Sequence, residues 1–420
     1  MKKIFIYTHS CDRRGLDANK TIQFLTENNY KIVDNPKDAD IIIFFACAAL
    51  KSITDKSLKL IKKFQKYNAE LIVAGCLPAI EKEQLVEIFD GKTIITRDIE
   101  RIDDIFPENK IKYHDIADAN FVFHNLNKKT IRGTFRDTFW MIKPIARIYN
   151  KTRNHIIKSL FGEDSLIYRY LPEKSEYHIR ISTGCLGNCS YCSIKDGIGP
   201  CVSKPLDECM KEFKNGLNHG FEKFVIDADE TGCYGLDINS SLPELLYNIT
   251  EIPGDYKISI RNLDPRWVVR YVNDLEIILK RRKIVDIESS IQSGSIRILK
   301  SMKRYSDLKK MKDAYVRLKK AYPNISLVTD YILGFPTESK EEITQTLRYI
   351  GEISFTSGTI IPFSCRIGTE AENIEPKITS QQMSRGLRYA KKYLKKIGYS
   401  VLYFPRRGFF IFWKKHYKTC

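Results

Sequence analysis

The sequence predicts an α/β protein with two domains: an N-terminal doubly wound parallel sheet and a TIM-like barrel, either complete or partial. Apolar runs typical of buried strands alternate with amphipathic helical segments over residues 1–110. The same alternation starts again at residue 176 and continues to residue 375. Between them, residues 111–175 fit neither pattern, and a short basic segment, 376–420, follows the second domain.

Three strands and two helices define the first domain. The predicted strands are KIFIYTHS, ADIIIFFAC and AELIVAGC, and the last two are apolar enough to be buried on both faces. Between them, DANKTIQFLTENNY and DKSLKLIKKFQKY have the periodicity of amphipathic helices. Alternation of this kind gives a parallel sheet with right-handed crossovers.

Three cysteines lie at or just beyond the carboxyl ends of these strands, at equivalent positions: Cys11, Cys47 and Cys76. Ligands of open α/β sheets gather at the carboxyl edge, where the ends of the strands meet. Single buried cysteines are common in ordinary cores. Three at equivalent strand ends favour a shared ligand role for the three thiols.

Residues 111–175 form a basic, aromatic segment that we interpret as a linker or insertion, partly helical. Pro144 should break or kink any helix there. The segment is either a surface that holds a substrate backbone or a solvated connection, and the sequence does not choose between them.

The barrel is predicted from a series of strands with helices between them: YHIRISTGC, KFVIDADE, YKISIRN, IVDIESSI, SLVTDYILG and GTIIPFS. Candidate site residues follow several of these strands, where such barrels place their chemistry. The last 45 residues contain one helical segment and a strand-like stretch, and are few for an independent domain.

The loop STGCLGNCSYCSIKDG places three thiols within eight residues: Cys185, Cys189 and Cys192. Structural zinc usually takes four protein ligands, and Cys201 or Cys209 would have to complete such a site. A [4Fe–4S] cluster held by three cysteines fits the spacing better, because Gly184 and Gly187 let the loop wrap tightly. The fourth iron would then be open to a substrate or cofactor.

The formal net charge of +18 suits contact with a polyanion, and nucleic acid is the first candidate. A Lys-rich proteome is the alternative explanation. We find neither a signal peptide nor an apolar run long enough to span a membrane, and expect a cytoplasmic enzyme. The 11 cysteines are therefore expected to bind metal or stay reduced rather than form disulfides.

The three-cysteine loop resembles the signature of radical S-adenosylmethionine (SAM) enzymes, and Tyr191 before the third cysteine also matches. In that superfamily the open iron binds SAM, and the reduced cluster cleaves it to a 5′-deoxyadenosyl radical. Over residues 1–100 and 176–375 the chain is similar to the methylthiotransferases, which insert sulfur and add a methyl group. ADETGCYGLDINSSLPELL is similar to the archaeal and eukaryotic enzymes that modify N6-threonylcarbamoyladenosine in tRNA; SIQSGSIRILKSMKR, TDYILGFPTES and CRIGTEA match further blocks.

The chain also departs from the methylthiotransferase pattern. Phe45 and Ala46 replace the usual Asn-Thr, Glu288 and Ser290 replace a His and a Pro, and GFPGET has become GFPTES. The RNA-binding TRAM domain of the family is expected to be absent, because the tail is too short for it.

The resemblance implies two [4Fe–4S] clusters and SAM as cofactors, and a flavodoxin or ferredoxin as low-potential electron donor. The cluster on Cys185, Cys189 and Cys192 would generate the radical. The cluster on the other trio, Cys11, Cys47 and Cys76, would carry the sulfur. The residues expected to bind SAM are Asp229, Glu230, Thr231, Arg261, Gln292, Ser293, Ser295 and Arg304. Turn and capping roles are the alternatives for the carboxylates and serines, and surface ion pairing for the arginines.

Three functions remain in competition. The first is methylthiolation of tRNA adenosine 37, which the net charge and the DETGCYG block favour. The second is the same chemistry on a peptide or protein side chain, which the missing TRAM domain and the 111–175 insertion favour. The third is a cluster-bearing redox or RNA-binding scaffold, against which the intact three-cysteine loop argues.

Overall fold

A computed structural model describes residues 1–123, 176–404 and 408–414 of the chain. Most of the predicted linker, from residue 124 to 175, lies outside the described residues. The described chain forms a five-stranded sheet, an eight-stranded sheet and a two-stranded ribbon, which confirms the predicted α/β class. In the described part of the chain, no helix combines the length and apolar character that crossing a bilayer requires.

The first sheet is parallel throughout, with strand order β2-β1-β3-β4-β5. Its strands are β1 (Lys3–His9), β2 (Lys31–Ile32), β3 (Ile41–Ala46), β4 (Glu70–Gly75) and β5 (Lys92–Ile95). Its helices are α1 (Asp12–Glu27), α2 (Lys51–Phe64), α3 (Leu77–Ile80), α4 (Lys82–Val86) and α5 (Ile102–Ile105). This order is that of flavodoxin-like sheets, whose ligands bind where β1 and β3 diverge.

Alternate residues of β3 build two separate cores. Ile43 packs in the core that includes Phe24 of α1, and Phe44 packs in the core that includes Phe64 of α2. All six residues of β3 are buried, which explains the unbroken apolar run in the sequence. Helices thus cover both faces of the sheet, as a doubly wound fold requires.

Residues 111–123 pack on the first sheet. Tyr113 and Ile116 are buried in the core of α1, and the Tyr113 ring lies 5.5 Å from that of Phe24 between centroids. Asn28 also donates a hydrogen bond from Nδ2 to the Ile111 carbonyl at 3.0 Å. The described beginning of the 111–175 segment is therefore ordered against the N-terminal domain.

The second sheet has strand order β14-β15-β13-β12-β11-β10-β9-β6. The strands are β6 (Glu176–Arg180), β9 (Lys223–Asp227), β10 (Lys257–Ile260), β11 (Ile284–Glu288), β12 (Ser326–Leu333), β13 (Ser357–Pro362), β14 (Tyr399–Phe404) and β15 (Phe409–Lys414). The strands from β6 to β13 in this sheet are parallel, whereas β15 and β14 are antiparallel to β13 and to each other. Among the described strands the sheet ends at β6 and β14, so the barrel is partial.

Helices follow the parallel strands in the barrel. They are α6 (Lys195–Ile198), α7 (Leu206–Asn218), α8 (Leu242–Glu251), α9 (Pro265–Arg270), α10 (Val272–Leu279), α11 (Ile296–Ser301), α12 (Leu308–Ala321), α13 (Lys340–Ile353) and α14 (Ser380–Lys396). A short ribbon of β7 (Ser182–Thr183) and β8 (Val202–Ser203) flanks the cysteine loop. The ribbon brings the two ends of that loop together.

The C-terminal hairpin β14–β15 completes the barrel core. Phe412 of β15 is fully buried, and its ring lies 5.4 Å from that of Tyr399 between centroids. Gly358 of β13 makes room for it, because a Cβ there would lie 2.6 Å from Phe412 Cζ. The basic tail of the sequence therefore contains a strand of the main sheet.

Phe412→Ala should lower the free energy of unfolding by about 3–5 kcal/mol, the usual cost of emptying a buried phenylalanine site. Tyr403→Ala, on the same hairpin but 41% exposed, serves as the control and should cost under about 1 kcal/mol. Urea unfolding followed by circular dichroism measures both values. Equal losses would show that the hairpin is not packed as described.

Candidate active site

Three thiols line a cavity at the carboxyl end of the barrel: Cys185, Cys189 and Cys192. The cavity has a volume of about 220 Å³ and is also lined by residues that follow β9, β10 and β11: Asp229, Glu230, Asn262, Asp264, Ser290 and Gln292. Parallel barrels place catalytic residues at this end. The loop therefore lies where the sequence predicted the chemistry.

Two glycines shape the cysteine loop. Gly184 has φ of 78°, and a Cβ there would lie 1.8 Å from the Pro200 carbonyl oxygen, so glycine is required. Gly187 donates its N–H to Cys185 Sγ at 3.1 Å, and a Cβ there would crowd that sulfur. The backbone thus wraps closely around the first thiol.

The thiols fit a cluster better than a single metal ion. In the described residues, no three His, Cys, Asp or Glu side chains converge on a position for one ion. A cubane cluster holds its thiolates farther apart than a single ion does. Burial raises the pKa of Cys185 to about 12 and that of Cys192 to about 11. Neighbouring thiolates contribute to both increases, as does the Glu230 carboxylate for Cys185, and a bound cationic iron core would offset this cost.

A buried arginine joins the cysteine loop to the carboxylates of the cavity. Nη1 of Arg304 lies 3.7 Å from Cys189 Sγ and pairs with Asp264 Oδ2 at 2.5 Å. Its Nη2 donates to the Ser290 carbonyl at 2.5 Å. The pKa of Asp264 is lowered by Arg304 and Arg266 despite burial. Asp264 is thus an anion held by two guanidinium groups.

Glu230 is the carboxylate best placed to receive a cationic ligand. Its Oε1 accepts hydrogen bonds from the backbone N–H of Gly232 at 3.0 Å and of Asp264 at 3.1 Å. Among the described residues, no hydrogen bond involves Oε2. Burial and the neighbouring Asp264 carboxylate raise the pKa of Glu230 to about 7. A bound ammonium group would compensate this buried charge.

Asp229 holds the two domains together rather than facing an empty position. Its Oδ1 accepts from Arg13 Nε at 2.9 Å, and its Oδ2 accepts from the Gly184 N–H at 3.0 Å and lies 3.6 Å from Arg14 Nη2. Despite burial, these contacts lower its pKa. Both oxygens are therefore engaged by protein groups.

Four of the eight predicted SAM-binding residues line the cavity: Asp229, Glu230, Gln292 and Arg304. Thr231 is fully buried and donates to the Arg261 carbonyl at 2.8 Å. Arg261 pairs with Asp286 and Glu288 at 3.4 and 3.3 Å. These two residues support the barrel wall.

The two predicted serines have structural contacts. Ser295 caps α11 by accepting from the Ile298 N–H at 3.3 Å, and donates to Glu342 Oε1 at 2.8 Å. Ser293 Oγ accepts from the Ser295 N–H at 3.2 Å. These contacts match the capping alternative. Gln292, by contrast, has φ of 73° and lines the cavity.

The sequence interpretation missed Asn262 and Asp264. Asn262 Nδ2 donates to Asp227 Oδ1 and to the Ala228 carbonyl, both at 3.0 Å, and so links the ends of β9 and β10. Asp264 caps α9 by accepting from the Arg266 N–H at 2.9 Å. The available signal was position: Asn262 is the last residue of the predicted strand YKISIRN, and Asp264 lies two residues beyond it.

The second cysteine trio lies at the ends of adjacent strands. Cys11 directly precedes α1, and Cys47 and Cys76 directly follow β3 and β4. The N–H of Cys76 donates to the Ala46 carbonyl at 3.1 Å. Burial and the nearby Cys11 thiolate raise the pKa of Cys47 to about 12. The fold thus brings together three thiols that are far apart in sequence, beside the β1/β3 divergence.

The segment that follows the cysteine loop packs on the second trio across the domain interface. Gly197 lies in α6, directly after the cysteine loop, and a Cβ there would be 3.3 Å from Cys76 Cβ. Gly199 packs on Arg97 in the same way. The interface therefore brings the end of the radical SAM-like loop against the ligand edge of the first sheet.

A buried ion-pair network fixes this interface. Arg14 of α1 lies 3.2 Å from Asp17 and 3.6 Å from Asp229, with its side chain 1% exposed. Arg180 of β6 pairs with Asp17, and also with Asp118 at 3.0 Å. The positive charge of Arg14 also lowers the pKa of Cys76, against the larger effect of burial. Arg14 thus links the second trio to the barrel.

Comparison with known protein families matches two models. Residues 179–350 match the radical SAM superfamily, and residues 3–96 match the uncharacterized protein family UPF0004. The chain carries a UPF0004 domain and a radical SAM domain. This confirms the predicted resemblance, and each trio of cysteines lies in one of the two domains.

Among curated proteins, this UPF0004–radical SAM chain is 28% identical over 395 residues to the human threonylcarbamoyladenosine tRNA methylthiotransferase. That match covers 92% of the chain but only 62% of the human protein. It is 26% identical to a probable threonylcarbamoyladenosine tRNA methylthiotransferase of Methanocaldococcus jannaschii, over 94% of the chain and 86% of that protein. It is 27% identical to the threonylcarbamoyladenosine tRNA methylthiotransferase MtaB of Thermotoga maritima, over 94% of the chain and 83% of that protein.

Solved structures share the fold. The radical SAM methyltransferase TsrM from Kitasatospora setae superposes with a TM-score of 0.59 at 12% identity, covering 88% of the chain and 77% of TsrM. The cobalamin-dependent radical SAM enzyme OxsB superposes with a TM-score of 0.52 at 12% identity, covering 93% of the chain and 56% of OxsB. At these identities the likeness concerns the fold alone.

Proposed function

We propose that the chain is a methylthiotransferase of the radical SAM superfamily that acts on threonylcarbamoyladenosine in tRNA. The observation that carries the proposal is the packing of Gly197, five residues after Cys192 of the barrel, on Cys76 of the first sheet. Sulfur insertion needs a hydrogen-abstracting centre and a sulfur source within reach of one substrate. The names of the curated relatives support the tRNA substrate.

The protein groups of the radical SAM site would bind and position the cluster and SAM. A [4Fe–4S] cluster and SAM, when bound, would supply the hydrogen-abstracting radical and the methyl group. The thiolates of Cys185, Cys189 and Cys192 would hold three irons and leave the fourth without a protein ligand. Glu230 would accept the SAM ammonium group through Oε2. Arg304 keeps Asp264 charged and Cys189 in place, so that the cavity wall is rigid before SAM arrives.

The second trio would hold the sulfur-donating cluster. Cys47 and Cys76 are buried, whereas Cys11 is exposed, so the trio opens on one side. The guanidinium group of Arg14 lies close enough to lower the pKa of both buried thiols, and it would partly neutralise a cluster held by three thiolates. A flavodoxin or ferredoxin is the class of partner that would deliver low-potential electrons.

The outer face of α14 is a surface suited to the tRNA backbone. The helix carries six exposed basic side chains and no acidic one: Arg385, Arg388, Lys391, Lys392, Lys395 and Lys396. None of the ion pairs found among the described residues involves these side chains. Cations without acidic partners are available to neutralise phosphates, which then release their condensed counterions, and this release makes binding depend on salt.

Arg388, Lys392 and Lys395 lie on one face of α14 at helical spacing. Replacing all three by Gln should weaken tRNA binding and reduce the slope of log Kd against log salt by about 2–3. Filter binding of unmodified tRNA at several salt concentrations measures this slope.

The matched control removes three exposed lysines from α2: Lys56, Lys59 and Lys63. The net charge then falls equally, but the slope should change by less than about 1. An equal effect of both triple variants would show that tRNA responds to overall charge and would reject α14 as the surface.

The proposed function is tested by anaerobic reconstitution with iron, sulfide, SAM and reductant, followed by mass spectrometry of digested tRNA. A methylthio gain on threonylcarbamoyladenosine is the expected result. Release of 5′-deoxyadenosine without any change in tRNA would reject the tRNA substrate. A methylthio gain on a peptide or protein side chain, when cell extract is added as substrate, would instead support the second function, methylthiolation of a peptide or protein. Absence of deoxyadenosine from a fully loaded protein would reject the enzymatic function altogether.

A further inference from the structure

Two cysteines outside both trios are in contact. Cys233 Sγ lies 2.8 Å from Cys201 Sγ, although the residues are 32 positions apart. Cys233 is fully buried, and Cys201 is partly exposed. No motif in the sequence pairs them, and thiols outside a metal site were expected to stay reduced. A disulfide needs the sulfurs at about 2.05 Å, so only a small movement separates this pair from bonding distance.

The backbone around the pair is already fixed. Gly235 donates its N–H to Ser203 Oγ at 2.9 Å, and the Ser203 N–H donates to Asp237 at 2.8 Å. These hydrogen bonds lie two to four residues beyond Cys201 and Cys233 and join the same two segments. A preorganised pair loses little entropy when it closes, which favours the bond over reaction with other thiols.

The pair joins two segments that lead to the lining of the radical SAM cavity, which includes Cys185 and Glu230. Cys201 directly precedes β8, which pairs with the strand β7 that leads into the cysteine loop. The N–H of Cys185 donates to the Gly199 carbonyl at 3.1 Å. On the other side, Cys233 Sγ lies 3.1 Å from the carbonyl oxygen of Glu230. A bond between the two sulfurs would tie the cysteine loop to the segment that carries Glu230.

We propose that Cys201 and Cys233 are a disulfide-forming site that reversibly locks the ribbon leading into the cysteine loop to the segment that carries Glu230. The oxidant is a small disulfide such as oxidised glutathione. The thiolate of Cys201 attacks it, forms a mixed disulfide and releases one glutathione thiolate. The thiol of Cys233 then loses its proton and attacks the sulfur of Cys201, which releases the second glutathione. Two protein thiols are oxidised, and one glutathione disulfide is reduced to two thiols.

The exposure of the two sulfurs matches these roles. Only Cys201 is reachable from solvent, as the attacking sulfur must be. The hydrogen bond from Cys233 also lowers the pKa of Cys201, which increases its thiolate fraction. Cys209 provides an internal comparison: it is buried nearby, but its Sγ contacts Tyr234 Oη at 3.8 Å rather than a thiol.

The test treats the reconstituted holoenzyme with anaerobic glutathione buffers of increasing oxidised fraction. Acid quenching with N-ethylmaleimide and peptide mapping then give the state of each cysteine. We expect a Cys201–Cys233 linked peptide, at least tenfold more abundant than any other linkage, that disappears again in reduced glutathione. Because the readout is a peptide mass, it is independent of the proposed enzymatic activity.

Two variants make the outcome decisive. In Cys233→Ala, Cys201 should accumulate as its glutathione adduct, since the resolving thiol is gone. In Cys201→Ser, the buried Cys233 should remain unmodified. The exposed Cys365 reports that the oxidant has acted. Glutathione on Cys365 without any Cys201–Cys233 linkage would overturn the proposal. A glutathione adduct on Cys233 in the Cys201→Ser variant, as abundant as the adduct on Cys201 in the Cys233→Ala variant, would also overturn it.

Discussion

Cys185→Ala and Cys11→Ala are expected to disable different steps. Cys185→Ala should reduce 5′-deoxyadenosine release by about a thousandfold or more, equal to about 4 kcal/mol in the barrier, because the iron that binds SAM loses its anchor. Cys11→Ala should keep this release, since its thiol lies in the other domain, but should lose sulfur insertion. High-performance liquid chromatography of deoxyadenosine and mass spectrometry of tRNA measure the two activities.

Iron content provides an activity-independent readout of the same variants. Wild-type protein should bind about eight irons per chain, and either variant about four. Cys365→Ala is the control, because that thiol is exposed and belongs to neither trio. Equal loss of deoxyadenosine release in both variants, with secondary structure intact, would contradict two independent cluster sites.

Local patterns predicted most strands, and long-range pairing accounts for what they missed. A buried strand such as β3 gives a clear signal in the sequence, because every one of its residues is apolar. The strand β15 does not, since FFIFWK lies in a basic tail and gains its place only by pairing antiparallel with β13. No periodicity within a tail of that length indicates which strand it will join.

The candidate site was predictable where chemistry follows a strand, and not where it depends on contacts between domains. The cysteine trios were found because their positions at strand ends are visible in the sequence. The partner of Asp229 was not, because Arg13 lies 216 residues away in the other domain. Ser295 illustrates a different limit: a hydroxyl after a strand reads equally well as a ligand or as a helix cap, and only the bond to the Ile298 N–H separates them.

Arg14→Met is expected to lower the free energy of unfolding by about 3–5 kcal/mol, because Asp17 and Asp229 would lose a buried cationic partner. The control is Arg101→Met, which removes an ion pair with Asp104 whose side chains are 74% and 69% exposed. Such surface pairs contribute at most about 1 kcal/mol. Urea unfolding at neutral pH compares the two variants, and a small effect of Arg14→Met would show that its charge is dispensable to the interface.

The same substitution should change the pH dependence of stability. The folded state holds the pKa of Asp229 below its usual value, with Arg14 and Arg13 as the main opposing causes against burial. A carboxylate with a lowered folded pKa contributes stability that is complete above its unfolded pKa of about 3.9 and is lost as pH falls towards the folded value. Without Arg14, burial dominates and the pKa of Asp229 rises. The variant should therefore lose less additional stability than wild type between about pH 5 and pH 3. Unfolding curves collected across this range measure the difference, and parallel losses would assign the acid sensitivity to other carboxylates.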